Sequence, residues 1–288
     1  MVICILLLVG IVLWHFVKKY RRSQGLLNLQ HKNILITGGA NGLGQHLARK
    51  LLPLAKNVIL LDIDNLSLQR LYRETKIRGY VCDVSVKEEV DAKASQIQKE
   101  IGPIHILINN AAIKDTKSIL KLSPQEINKV FGVNILSHYW TTQAFLPGML
   151  KMEDGHIVSI CSVLGLSGVP YLSVYSSSKS AVSGFHEALR RELQLLKAKG
   201  ISTSIIYPAK INTPLFKDIK QNPLVPELSP EDVANEILDC LLLKTDTKFL
   251  PWFLQLVPLL KVLPTAVEDW LLLKLGVTDA AKRAYYKT

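Results

Sequence analysis

The chain has 288 residues, of which 48% are hydrophobic and 20% charged, with a net charge of +11. That composition supports one large α/β domain or two smaller ones and excludes intrinsic disorder. An excess of Lys and Arg points to nucleic acid or to an anionic membrane surface. Zinc-finger spacings and aromatic–basic RNA motifs are missing from the sequence, so the nucleic-acid reading is set aside and the membrane kept.

Residues 2–17 (VICILLLVGIVLWHFV) are apolar except for His15 and are followed by the basic cluster KKYRR at residues 18–22. The length sits near the lower limit of about 17 residues for a bilayer span. The charge lies behind the apolar run and no small-residue cleavage site follows, which predicts an uncleaved anchor over residues 1–22 rather than a signal peptide. The positive-inside rule then puts the rest of the chain in the cytosol. Crossing the bilayer and lying within one leaflet both suit this length. His15 is read as an interfacial side chain.

Residues 33–37 (NILIT) are of strand length and run into GGANGLG, residues 38–44, and then an amphipathic stretch. Strand, glycine turn and helix in that order is the dinucleotide-binding context. Gly38, Gly42 and Gly44, with Asn41 and Leu43 between them, form a turn that lets backbone N–H groups and a helix amino terminus face a pyrophosphate. Residues 57–61 (NVILL) predict a second strand ending in Asp62. An acidic residue about 20 positions past the glycine turn hydrogen-bonds the adenosine ribose and repels a 2′-phosphate. That favours NAD, with NADP as the alternative. Asp62 could instead be a turn or capping residue, a role that Asp64 or Asn65 could also fill.

A helix over residues 66–75 leads to a strand over residues 79–84, where Asp83 is a candidate to meet the adenine edge and is equally readable as a solvated carboxylate. A helix over residues 87–101 stops before Pro103. The apolar strand of residues 104–112 (IHILINNAA) ends in Asn110 at the carboxyl end of a parallel strand, where ligands bind in open α/β sheets; such a polar pair is also a plain turn signal.

Ser-Pro-x-Glu at residues 123–126 caps a long helix predicted over residues 123–150. Asn134 falls inside it and needs a polar partner if buried, either across to another helix or in an active site. A strand over residues 156–160 leads to Ser162. Tyr175 and Lys179 then lie four apart, on one face of the helix predicted over residues 175–199. An ammonium near a phenol favours the phenolate, so the pair is a candidate acid/base device, with Ser162 as a hydroxyl for a substrate oxygen.

A strand over residues 201–207 closes at Pro208. The irregular stretch 211–228 is a candidate flap over a substrate or an ordinary loop. A capped helix follows over residues 229–242. Residues 248–264 are apolar and broken by prolines, which predicts a last strand plus membrane-dipping turns, and residues 265–276 form a short amphipathic helix before a basic tail at residues 282–287. Strands alternate with helices throughout, so a doubly wound parallel sheet is expected. The four cysteines, Cys4, Cys82, Cys161 and Cys240, show neither disulfide nor metal spacing. Cys161 is read as a small buried hydrophobe rather than a reactive thiol.

TGGANGLG, NNAA, Asn134, Ser162, YSSSK and YPAKINTPLF, in this order, resemble the short-chain dehydrogenase/reductase superfamily. VNILSHYW, GHIVSICSVLG and GVPYLSVYSSSK resemble more closely its epidermal-type retinol dehydrogenase and lipid-droplet 17β-hydroxysteroid dehydrogenase branch. The resemblance implies a Rossmann-type α/β domain over residues 30–250, between the anchor and an apolar, membrane-associated segment over residues 251–288. It implies Tyr175 as general acid/base, and Lys179 on the nicotinamide ribose, lowering the Tyr175 pKa. Ser162 would hold the substrate oxygen, and Asn134 would support a water in a proton relay. Pro208, Ile211 and Thr213 would flank the nicotinamide, with Asp83 and Val84 at the adenine and Asn110 at the central turn. It further implies oxidation of a lipophilic alcohol of the retinol or steroid class, a homodimer, and residence at the endoplasmic reticulum membrane or lipid droplets, facing the cytosol. An NADPH-dependent lipid carbonyl reductase and a non-catalytic dinucleotide-binding scaffold are the rival expectations. Two positions depart from the family pattern. Ala112 and Ala209 stand where the family has Gly, and each adds a methyl group near the cofactor.

Overall fold

The computed structural model describes residues 26–219, 222 and 225–277. The anchor expected over residues 1–22 and the basic tail lie outside the described residues. Strands β1 (Asn33–Thr37), β2 (Asn57–Asp62), β3 (Arg78–Val81), β4 (Ile106–Asn109), β5 (Gly155–Ile160), β6 (Ile201–Pro208) and β7 (Thr247–Leu250) form one sheet in the order β3-β2-β1-β4-β5-β6-β7. Every neighbouring pair is parallel. β1, β4 and β5 are buried along their whole length, and a strand covered on both faces reads as a continuous apolar run rather than an alternation.

The helices are α1 (Gly42–Leu51), α2 (Asn65–Thr75), α3 (Lys87–Glu100), α4 (Pro124–Phe131), α5 (Ser137–Met152), α6 (Ser173–Leu195), α7 (Pro230–Leu242) and α8 (Thr265–Lys274). Leu47 and Leu51 of α1, Leu71 of α2 and Ile237 of α7 build one core layer with the sheet. Val90 and Ile97 of α3, Phe145 and Met149 of α5 and Leu189 of α6 build the layer on the opposite face. This is the doubly wound α/β architecture expected from the sequence. Strand order reverses at β1, so the crevice between the carboxyl ends of β1 and β4 is the place where such a sheet takes a ligand.

Two local readings need correction. The third strand ends at Val81, not Val84; Asp83 sits in the following turn, where its Oδ1 accepts from the Ser85 N–H (2.9 Å) and hydroxyl (2.6 Å). The long helix expected over residues 123–150 begins with the full Ser123–Glu126 capping box. It is interrupted by a π turn, Gly132–Leu136, between α4 and α5. Apolar periodicity cannot register one extra residue in a turn. Past β7, residues Trp252–Val262 form 3-10 turns before α8. Among the described residues no helix is long and apolar enough to cross a membrane.

Candidate active site

β1 ends at Thr37, and its hydroxyl accepts from the N–H groups of Asn110 (3.0 Å) and Ala111 (3.1 Å). The Asn110 amide donates to the carbonyls of Thr37 (2.9 Å) and Gly38 (3.0 Å). Asn110 therefore ties the end of β4 to the glycine turn. Gly38 and Gly42 have φ of +63° and +51°, a region that costs little only for glycine. At Gly44 the reason is space, because a Cβ there would lie 2.1 Å from the Gly38 carbonyl oxygen. The Asn41 side chain donates to Asp64 (3.0 Å) instead of capping α1, so the first N–H groups of α1 and the positive end of its dipole stay available to an anion. Asp64 is the N-cap of α2, accepting from the Ser67 N–H. Asp62 lines the cleft, its Oδ2 accepting from the Ala40 N–H (2.8 Å) and its Oδ1 from the Asp64 N–H (3.0 Å).

Across the cleft, Ser162 lies just past β5 and its hydroxyl accepts from the Leu164 N–H at 3.2 Å. Tyr175 and Lys179 stand one turn apart near the start of α6, 3% and 1% exposed. The Lys179 Nζ donates to the Ile160 carbonyl (2.9 Å) and lies 5.9 Å from the centre of the Tyr175 ring. Burial raises the Tyr175 pKa well above that of an ordinary phenol, while its hydrogen bond with Ser162 pulls the other way. Burial pushes Lys179 down to about 8. The expected lowering of the Tyr175 pKa is thus outweighed by desolvation in the protein alone.

Asn134 is 0% exposed, in the π turn. Its Oδ1 accepts from the Ile113 N–H (2.8 Å), and its Nδ2 donates to the Ile113 carbonyl (2.9 Å) and to Ser178 of α6 (2.9 Å). The cross-helix hydrogen bond is present, together with a clamp on the loop after β4. A π turn in a helix is often found at a functional site.

One cavity of about 390 Å³ joins the two halves. Of the candidate site residues, Gly44 and Asn134 stand behind its wall; Gly38, Asn41, Gly42, Leu43, Asp62, Asp83, Val84, Asn110, Ser162, Tyr175, Lys179, Pro208, Ile211 and Thr213 all line it. Ala112 and Ala209 carry no left-handed torsion, so the methyl groups there impose no backbone strain. Cys161 is buried and burial raises its thiol pKa, as suits a packing residue. Sequence reasoning missed Phe216, Ile113 and Lys129 on the wall. Phe216 sits in an irregular loop where no periodicity could flag it.

The donor set fits a dinucleotide. The glycine turn leaves room for a close backbone approach, and a Cβ on Gly42 would face Thr213 at 3.5 Å across the groove. The groove ends at a carboxylate suited to a ribose. Residues 32–224 match the family model described as short chain dehydrogenase.

The chain belongs to the short-chain dehydrogenase family. It is 35% identical over 241 residues to "Estradiol 17-beta-dehydrogenase 11" of Homo sapiens, covering 82% of this chain and 78% of that protein. It is 34% identical to "17-beta-hydroxysteroid dehydrogenase 13" of Rattus norvegicus, covering 88% and 86%. It is 40% identical to "Short-chain dehydrogenase/reductase family 16C member 6" of Bos taurus, covering 73% and 69%. Among solved structures, a short-chain dehydrogenase from Burkholderia phymatum in complex with NAD superposes with a TM-score of 0.73 at 25% identity, covering 80% of this chain and 93% of the other. A metagenomic short-chain oxidoreductase in complex with NADP gives a TM-score of 0.63 at 25% identity, covering 73% and 90%. As a short-chain dehydrogenase, the chain is an NAD(P)-dependent oxidoreductase acting on CH–OH groups.

Proposed function

We propose that this dehydrogenase oxidises a lipophilic alcohol of the steroid or retinol class, or reduces the corresponding carbonyl, with NAD(H) as partner and Tyr175 as proton carrier. The observation that carries the reading is that Ser162, Tyr175 and Lys179 share one cavity with the glycine turn and Asp62. The nicotinamide, when bound, supplies the hydride acceptor or donor. Gly38, Asn41, Gly42 and the α1 amino terminus would hold the pyrophosphate. Asp62 would take the adenosine ribose and repel a 2′-phosphate, favouring NAD over NADP. Ser162 orients the substrate oxygen toward Tyr175, which takes the hydroxyl proton in oxidation and returns it in reduction. Lys179, its pKa pushed down to about 8 by burial, would bind the nicotinamide ribose and hold positive charge close to the phenolate as it forms. Asn134 fixes the Ile113 peptide beside the site, the role through which it would support a relay water.

The apolar surroundings of Tyr175 support a lipophilic substrate: Val169, Leu172 and Ile219 are buried with it, and Leu164, Tyr171 and Phe216 pack alongside. The steroid names of the relatives agree with this class. Trp252, Leu259, Val262, Trp270 and Leu273 are all exposed on the segment after β7. Apolar side chains exposed along one segment suit a lipid surface. With the anchor expected over residues 1–22 they support association with the endoplasmic reticulum membrane or lipid droplets, the catalytic domain facing the cytosol; a homodimer through the two long helices is carried over from the family resemblance alone.

The test uses detergent-solubilised full chain, NAD or NADP, and a panel of retinols and steroids. Growth of absorbance at the NADH band with one of them, and its loss in Tyr175→Phe with NAD binding kept, is the expected result. Wild-type turnover in that variant refutes the mechanism. NAD binding with no turnover of any alcohol indicates the scaffold instead, and activity confined to NADPH and ketones indicates the reductase.

A further inference from the structure

Tyr175 is almost fully covered, although a substrate oxygen must reach its hydroxyl. Part of the cover is the segment before α6, with Val169 and Leu172, and part is the loop after β6. Its 3-10 turn, Pro214–Phe216, sets the Phe216 ring edge-to-face against Tyr175, with centroids 5.7 Å apart at 87°. Ile219 is buried in the apolar cluster that holds Tyr175. Between these two contacts, Asp218 reaches the loop after β4. The Lys114 Nζ lies 2.7 Å from both of its carboxylate oxygens. Thr116 completes the group, accepting from Lys114 (3.0 Å) and donating to Asp218 (3.2 Å).

The Lys114 side chain is only 8% exposed. An ion pair with one end buried is screened less than one on the open surface. Its base is fixed as well. Asn134 holds the neighbouring Ile113 by both backbone groups, and the Lys117 N–H donates to the Tyr171 carbonyl (3.1 Å). One side of the pair is therefore anchored to the helix behind the site, while the other belongs to the loop that covers the catalytic phenol.

We propose that Lys114 and Asp218 are positioning residues for the reaction: their ion pair seats Phe216 against Tyr175 and parts when substrate and product pass. This rests on the reading of Tyr175 as the proton carrier. With the pair closed, the Tyr175 ring is held against Phe216 and its alignment in the cavity is fixed. With the pair open, the loop is left with the packing of Phe216 and Ile219 in the cluster around Tyr175 and with the Thr116 hydrogen bond to Asp218. Neither residue touches the reacting atoms, so their loss alters access and alignment rather than the chemistry.

The test has a readout that does not depend on activity. In the full-length protein, amide hydrogen exchange of residues 211–219 is followed by mass spectrometry in wild type, Lys114→Met, Asp218→Asn and the swap Lys114→Glu with Asp218→Lys. Both single variants speed exchange in that segment and raise KM roughly five- to tenfold, with a smaller change in kcat and NAD binding kept. The swap restores both readouts in part. In wild type, raising salt from about 0.05 to 0.5 M screens the pair and speeds exchange in the same segment. Unchanged exchange in both single variants, or no salt response in wild type, overturns the proposal, and the salt arm applies even if a variant fails to fold. If exchange responds but Tyr175→Phe turns over normally, the latch stands and the catalytic reading falls.

Discussion

Lys179 is expected to cost the protein stability for the sake of chemistry, and the structure gives the size of that cost. It is 1% exposed, and burial takes it from the ordinary 10.5 to about 8. At about 1.4 kcal/mol per pH unit, the charged form is disfavoured in the folded state by about 3 kcal/mol. The sign follows from linkage. The folded pKa lies below the unfolded one, so the penalty is complete below pH 8 and fades as pH rises from about 8 toward 10.5. Lys179→Met keeps the apolar stem and removes the charge. It also takes the Nζ donor from the Ile160 carbonyl, a loss of about 1 kcal/mol. The net expectation is a variant about 2 kcal/mol more stable than wild type at pH 7 and inactive. Urea unfolding of detergent-solubilised, cofactor-free protein at pH 7 and near pH 10 measures this, with the gain shrinking at the higher pH. A variant less stable than wild type at pH 7, or a gain that ignores pH, refutes the reasoning.

Asp62→Ala should raise NADP use relative to NAD by about tenfold or more, through lost ribose hydrogen bonds and lost repulsion of the 2′-phosphate; the ratio of kcat/KM for the two cofactors checks it, and no change counts against Asp62 as the selector. Gly44→Ala would put a Cβ 2.1 Å from the Gly38 carbonyl. Overpacking of about 1–3 kcal/mol should weaken NAD binding about tenfold or more, measured by titration calorimetry. Because burial raises the Tyr175 pKa, the phenol stays protonated between about pH 6 and 9, and alcohol oxidation, which needs the phenolate to take up the substrate proton, should climb over that range. An oxidation rate that falls as pH rises there contradicts it.

The sheet was legible because its central strands carry short, mostly apolar runs, two of them closed by Gly38 and Pro208. Residues 33–37 match β1, and residues 57–61 match β2 short of its last residue, Asp62. The glycine turn, Asp62 and the Tyr175–Lys179 pair could be read because their roles depend on local spacing. Asn134 was visible as a polar residue in an apolar helix, but its partner was not: Ile113 lies 21 positions away, and only the tertiary fold brings the two together. The direction of the Tyr175 shift also lay beyond the sequence. Spacing reports that an ammonium is near, while the competing effect is the covering of the phenol by Phe216 and Ile219, residues more than 40 positions downstream.

The π turn at Gly132–Leu136 works as a phase shifter. An ordinary helix advances about 100° per residue, and one extra residue in a turn rotates everything after it by roughly that angle. Before the turn, α4 presents Lys129 to the cofactor groove. After it, α5 drives His138, Thr141, Phe145 and Met149 into the core. A regular helix through this stretch would have to choose between lining the groove and filling the interior. The one-residue offset lets a single continuous rod do both, with Asn134 at the point where the two alignments meet.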